Sequence, residues 1–247
     1  MISLTFSKKT NVKIPVVQSH RGFWNQDISE NTLKAIQNAF LNGFQMTEFD
    51  VRLTLDEKVI LFHDDKIDKE KVSRKTLNEL QKKHQINTLD EVLVWFASVI
   101  SHQQIFFLNI EIKSNSIFDR RLESQVLKLI ERYQVQDQVL ISSFNPLSLF
   151  YFRVMKSKVT RSLLLTMDAT QVGNSLMVKS MVLNMLARPH YLHLDYRDWQ
   201  NWYIQTFLKD KIRIILWTCN DLVAAQRYLK EGAMGIISDN IKPTDLK

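Results

Sequence analysis

Met46-Thr47-Glu48-Phe49-Asp50-Val51-Arg52-Leu53 is the stretch on which the reading of this chain turns. It has the apolar content of a strand. Side chains alternate across a strand, so Glu48 and Asp50 share one face while Phe49 and Val51 take the other. A core strand does not ordinarily carry two carboxylates, because an unpaired charge removed from water is costly. The pattern recurs at Ile105 to Ile112, where Asn109 and Glu111, followed by Lys113, lie on one face and Ile110 and Ile112 on the other. Strands of this kind suit a closed parallel barrel, in which inward positions at the C-terminal strand ends form the active site.

Working outward, short apolar runs alternate with helical spacing along the whole chain. Lys13 to Ser19 reads as a first strand, and Asn31 to Leu41 as a helix stopped by Gly43. Val59 to Phe62 reads as a short strand returning against Met46 to Leu53, with Asp56-Glu57 at the turn. A two-residue turn there places His63 opposite Asp50. Thr88 to Ile100 and Arg121 to Tyr133 read as helices flanking the Ile105 to Ile112 strand. Gln138 to Ser143 is a strand, and Pro146 opens a helix to Met155. Strands follow at Arg161 to Thr166, Tyr191 to Leu194, Arg213 to Trp217 and Gly235 to Ser238. Helical patterns lie near Asn174 to Ala187, Asp198 to Leu208 and Leu222 to Lys230. About eight strand–helix units over this length predict a (β/α)8 TIM barrel. One domain spanning residues 1–247 is expected, with a short β-hairpin and a charged excursion after the second strand, from Asp65 to Lys83.

The composition narrows the class. The apolar fraction of 45% and charged fraction of 24% are those of an ordinary globular protein. Net charge is +7, but the basic residues are scattered, which reads as a solvated surface. No nucleic-acid motif or aromatic-basic stripe appears, so no nucleic-acid partner is expected. The lone Cys219 excludes an intramolecular disulfide and cysteine-rich zinc sites. The N-terminus lacks a signal-peptide pattern, and no apolar run reaches the roughly 18 residues of a transmembrane helix. A cytoplasmic location is therefore expected. The sequence leaves the oligomeric state open. Gly-rich phosphate loops and a Gly-x-Ser-x-Gly elbow are absent.

The polar residues at strand ends form one constellation. Glu48, Asp50 and Glu111 would repel one another at close quarters, and a hard divalent cation, Mg²⁺ or Ca²⁺, suits such an oxygen shell. Arg21 and Lys113 are natural clamps for a phosphate. His20 ends the first strand and His63 ends Val59 to Phe62; two histidines on opposite sides of a phosphorus can serve as base and acid. His84, His102, His190 and His193 lack this context. Ser142-Ser143, after a strand, suits either substrate binding or a turn.

These motifs, in this order, resemble the glycerophosphodiester phosphodiesterase family. His20-Arg21-Gly22 resembles its opening HRG, Glu30-Asn31-Thr32 its ENT, Glu48-Phe49-Asp50-Val51 its E-x-D-V and His63-Asp64 its HD. Thr88-Leu89-Asp90-Glu91-Val92-Leu93, Glu111-Ile112-Lys113, Ser142-Ser143-Phe144, Trp217-Thr218-Cys219-Asn220 and Gly235-Ile236-Ile237-Ser238-Asp239 continue the series nearly to the C-terminus. The resemblance implies a TIM barrel that hydrolyses small glycerophosphodiesters to glycerol 3-phosphate and an alcohol. It implies that Glu48, Asp50 and Glu111 hold the metal, that His20 and His63 are the acid/base pair, and that Arg21 and Lys113 contact phosphate. Trp217 either lines the substrate pocket or packs the barrel. A cyclic phosphate or direct attack by water are both compatible with these residues.

Two departures bear on specificity. Met234 stands where the family usually has an acid, with an expected effect on glycerol recognition or on a hydrogen bond behind it. Asp65 to Gln85 is short for the family's insertion, which predicts a reduced lid. Two other functions share this frame. One is a lipid-headgroup phosphodiesterase of the phospholipase C or D kind, for which Met177 to Met185 would offer an apolar contact. The other is an inactive barrel that binds a phosphorylated ligand.

Overall fold

The computed structural model describes residues 6, 7, 10, 12–101, 105–114, 116–168 and 184–246. In chain order the strands are β1 (Val17–Ser19), β2 (Met46–Leu53), β3 (Val59–Leu61), β4 (Lys66–Ile67), β5 (Glu70–Lys71), β6 (Phe107–Ile112), β7 (Val139–Ser143), β8 (Thr160–Leu165), β9 (Tyr191–Asp195), β10 (Ile214–Trp217) and β11 (Gly235–Ser238). The helices are α1 (Leu33–Leu41), α2 (Leu77–Gln81), α3 (Leu89–Ser101), α4 (Arg121–Arg132), α5 (Pro146–Val154), α6 (Asn184–Ala187) and α7 (Leu222–Lys230). Hydrogen-bonded neighbours run β1-β11-β10-β9-β8-β7-β6-β2, all parallel, and a β1–β2 pairing closes the ring. This is a TIM barrel.

Side-chain parity divides each strand between two cores. Outward residues such as Phe49, Val51, Ile110, Ile141, Leu163, Leu192 and Leu216 join the helices in one large apolar cluster. Inward residues Met46, Leu140, Tyr191, Ile215 and Ile237 fill the lower barrel with Val12. Local signals set the helix ends. Thr32 caps α1 by accepting from the Ala35 N–H, Asn145 caps α5 ahead of Pro146, and Asp221 caps α7.

β2 is longer than its neighbour β1, which pairs with it only at Thr47. The exposed edge beyond is taken by β3, with Val51 opposite Leu61, Arg52 opposite Ile60 and Leu53 opposite Val59. The expected two-residue turn is not formed. Leu55, Asp56 and Glu57 make a three-residue connection, with Glu57 in the left-handed region at φ 56° and the Glu57 N–H donating to the Thr54 carbonyl. Three-residue hairpin loops adopt this geometry, a type I turn ending in a left-handed residue. The added residue moves the register by one, so Phe62, not His63, faces Asp50, with its N–H donating to the Asp50 carbonyl at 3.1 Å.

Other expectations shift by smaller amounts. Only Val17–Ser19 of the first strand is paired. The helix read over 198–208 is instead a 3₁₀ turn at Tyr196–Asp198 and a π-helical turn at Ile204–Leu208. Trp199 sits between them, fully buried, its indole N–H donating to Glu231 at 2.7 Å. Most of the helical pattern at 174–187, most of the Met-rich segment at 177–185, and His102 lie outside the described residues. The charged excursion carries a small core of its own: Ile67, Val72, Leu80 and Ile86 pack on Ile60 of β3. A capping box between Thr76 and Glu79 fixes α2 within it.

Candidate active site

The HRG segment turns sharply at the end of β1. Arg21 and Gly22 both have positive φ, 56° and 83°. Gly22 has no substitute here, since a Cβ on it would lie 2.5 Å from the Cβ of Ala35 in α1. Arg21 in this conformation costs about 1 kcal/mol or more. The turn aims its N–H at Glu48 Oε2, 3.0 Å away, while the Gly22 N–H donates to the Glu48 carbonyl. The strained backbone thus holds the first acid in place. His20 is oriented by Asp239 at the end of β11, Nδ1 to Oδ1 2.7 Å, which leaves Nε2 3.9 Å from Glu48 Oε2. Burial would lower the His20 pKa, but the Asp239 hydrogen bond and the Glu48 charge outweigh it and raise it.

Glu48, Asp50 and Glu111 are all buried, and one carboxylate oxygen from each falls within 4.8 Å of the others. Two cations face them. Lys113 Nζ lies 3.0 Å from Asp50 and 2.5 Å from Glu111, and Arg21 Nε lies 3.4 Å from Asp50. Asn31, left-handed at φ 52°, clamps Asp50 twice: its Nδ2 donates to Oδ2 and its Oδ1 accepts from the Asp50 N–H, both at 2.9 Å. Burial favours the protonated form of Asp50, but Lys113, His63, Arg21 and Asn31 outweigh it and hold the carboxyl down at about 2. Glu48 has less compensation. Burial first, and then the Asp50 charge, push its pKa up to about 8. Burial also raises that of Glu111, against the pull of Lys113.

His63 follows β3 on the same rim, its Nδ1 2.7 Å from Asp64 Oδ1. It is near enough to the acids to help keep Asp50 ionised. The two histidines therefore come to the same rim from the ends of different strands, His20 after β1 and His63 after β3.

A family model for the glycerophosphoryl diester phosphodiesterase family matches residues 20–242. The chain belongs to this family. A glycerophosphodiester phosphodiesterase from Caldanaerobacter subterraneus subsp. tengcongensis is 28% identical over 242 residues, covering 91% of this chain and 94% of that one. One from Bacillus altitudinis is 32% identical over 167 residues, 61% of this chain and 66% of its own. A phosphodiesterase from Oleispira antarctica, solved in complex with the product sn-glycerol-3-phosphate, superposes with a TM-score of 0.72 at 22% identity, covering 91% of this chain and 93% of that one; it shares the fold.

Within this member of the family, Trp217 ends β10 partly exposed. Its indole N–H donates to the His193 carbonyl at 3.0 Å, and its ring meets Phe144 edge-on at 5.5 Å. The register around the barrel sets His20, Glu111, Leu164 and Trp217 in one ring of inward side chains from alternate strands. Met234 does not touch the site: it precedes β11 at the opposite end of the barrel, 40% exposed. The acid usual in the family is thus replaced at a position remote from any substrate at the strand C-termini. Ser142 and Ser143 are both buried; Ser142 bonds Asn109 inside the barrel and Ser143 the Ile112 carbonyl. His193 lies inside the barrel, neither ring nitrogen having a partner among the described residues, and burial pushes its pKa down to about 3.

Sequence reasoning passed over four residues that shape the site. Asp239 orients His20, and Asn220 in turn donates to Asp239 at 2.7 Å. Asn31 clamps Asp50, and Glu30 accepts from Arg21 Nη1 at 2.7 Å. Each falls in a motif noted from the sequence, but only the tertiary contact shows its task. No helix among the described residues is long and apolar enough to cross a membrane.

Proposed function

We propose that this chain, as one barrel domain, hydrolyses glycerophosphodiesters to glycerol 3-phosphate and an alcohol, with His20 and His63 as the acid/base pair. The observation that carries this reading is the buried triad of Glu48, Asp50 and Glu111 at the C-terminal mouth, flanked by both histidines and two cations. The product bound by the Oleispira relative supports the substrate class.

The triad suits a hard divalent ion. All of its donors are oxygens, and Glu48 Oε1 is buried with no hydrogen-bond partner among the described residues. Glu48, Asp50 and Glu111 would hold one Mg²⁺ or Ca²⁺, which when bound supplies the charge that polarises a phosphoryl oxygen. Arg21 and Lys113 add positive charge at the same mouth and orient the phosphate. Asp239 fixes His20 through Nδ1, so Nε2 is the atom that takes or gives a proton over the acids. Asp64 holds His63 Nδ1 in the same manner, leaving its Nε2 for the opposite side of the phosphorus. Trp217 at the end of β10 and Phe144 just after β7, whose rings meet edge-on, offer an apolar surface at the same end of the barrel.

The test is a panel of glycerophosphodiesters assayed with each metal for glycerol 3-phosphate release. EDTA should abolish turnover and one divalent ion should restore it. His20→Ala and His63→Ala should each lower kcat by about 100-fold or more. Near-normal turnover in either variant removes that residue from the mechanism.

One observation favours a lipid-borne substrate: Ile117 and Phe118 project from the rim loop between β6 and α4, 66% and 90% exposed. Sedimentation with anionic vesicles separates the readings. Full turnover of glycerophosphocholine without vesicle binding selects the water-soluble substrate.

A further inference from the structure

Arg52 is the next inward residue of β2 after Asp50, and nothing in the chemistry above uses it. Its side chain is largely buried, 12% exposed. Nε and Nη2 both donate to the His63 carbonyl oxygen, at 2.9 and 2.7 Å. Nη1 donates to the Lys113 carbonyl at 3.3 Å. Its ionic partner Asp65, at 3.6 Å, is 48% exposed, so this pair contributes little. The guanidinium is instead committed to backbone carbonyls, which fixes it in place.

The carbonyls it holds are telling. The β2–β3 ladder ends at the bond from the Phe62 N–H to Asp50. His63 lies one residue beyond, where the ladder no longer fixes the chain. The forked guanidinium grips that residue from the strand that bears Asp50, and reaches Lys113 at the end of the strand that bears Glu111. One side chain therefore ties together the three segments that carry an acid, a histidine and a phosphate clamp. A lysine at this position keeps the charge but has no planar fork, so it cannot make the paired bonds to one oxygen.

The geometry points to Arg52 as a positioning residue for His63, holding its imidazole in line with the acid cluster through the His63 carbonyl. This rests on the acid/base reading of His63 given above. Arg52 should therefore act in the chemical step, through His63, and leave ion binding alone.

The experiment is a double-mutant cycle of Arg52→Lys and His63→Ala on the full chain, read as kcat and KM with glycerophosphocholine, with Arg52→Gln as a second variant. Circular dichroism and Tm establish which variants are folded, and calorimetric titration with Mg²⁺ or Ca²⁺ gives the ion affinity. Arg52→Lys should lower kcat by about tenfold or more, a typical share of a positioned acid or base, with KM within about threefold. Ion affinity in Arg52→Lys should stay within about threefold, because the lysine keeps the positive charge and the ion pair of Arg52 is with Asp65, outside the triad. In the His63→Ala background the same substitution should cost less than about twofold, since residues acting as a unit are not additive. Additive losses, an undiminished kcat in folded Arg52→Lys, or a loss confined to ion affinity would each overturn the assignment. A His63→Ala enzyme of normal rate would overturn the acid/base reading itself, and this inference with it. Should Arg52→Lys not fold, the same cycle with Arg52→Gln decides between these outcomes.

Discussion

Ion binding by this site should be coupled to proton release, and the size of the coupling follows from a charge count. Three buried carboxylates face two cations, Lys113 and Arg21, and Arg21 is shared with Glu30. With His20 neutral one negative charge is left without compensation, and His20 Nε2, 3.9 Å from Glu48, offsets it when protonated. Burial and the Asp50 charge push the Glu48 pKa up to about 8, so Glu48 is the acid expected to take the resulting proton. A divalent ion needs the deprotonated cluster, so below that pH it must displace a proton. The sign is fixed: affinity rises with pH up to about 8 and levels above it. With a single such group, apparent affinity should gain about ninefold from pH 6 to 7, and less than about twofold from pH 8 to 9. Isothermal titration with Mg²⁺ or Ca²⁺ across this range measures the first quantity. Repeating it at pH 7 in buffers of different ionisation enthalpy measures the second, which should be about 0.9 proton released per ion. An affinity that is flat between pH 6 and 8, or binding with no proton released, would show that the ion-free cluster is fully ionised and that the charge count fails.

Other perturbations are equally definite. Asp239→Asn should keep the fold but lose the ionic hold on His20, lowering kcat while shifting the His20 limb of the pH–rate profile downward, because Asp239 supports the raised pKa. Unchanged kcat and pH profile would remove Asp239 from the site. Gly22→Ala should destabilise by several kcal/mol, since positive φ and a 2.5 Å approach to Ala35 combine; urea denaturation reads it, and a loss below about 1 kcal/mol would refute it. Buried His193 has a pKa of about 3, so the unfolded chain takes up a proton near pH 6.5 that the folded chain refuses. Stability from this residue is therefore lost as pH falls from about 6.5 towards 3. His193→Leu should abolish about 2 kcal/mol of the stability lost between pH 7 and 5. Equal pH dependence in both proteins would show that the imidazole is not excluded from water.

The fold was legible because its signals are local. Alternation in Glu48-Phe49-Asp50-Val51 and Asn109-Ile110-Glu111-Ile112 assigns inward and outward faces within single strands, and the structure keeps those faces. Caps at Thr32, Asn145 and Asp221 start three helices where the pattern begins. The acids were legible for the same reason, since carboxylates on an otherwise apolar strand are too costly to bury unless cations or donors gather round them. The turn at Asp56-Glu57 was not. Whether two or three residues make it depends on Glu57 accepting a left-handed conformation, and the sequence there offers no glycine to announce it. Met234 illustrates a different limit, because its departure from the family pattern gained meaning only when the strand direction put it at the far end of the barrel.

Sequence alone, then, determined which side chains could share a strand face, because that parity is a property of the backbone over a few residues. Tertiary structure alone decided that Asp239 grips His20, that Asn31 clamps Asp50 and that Arg52 holds the His63 carbonyl. Those contacts join residues brought together by ring closure and by one added turn residue. They are set by the summed packing of the whole barrel, which no short stretch of the chain encodes.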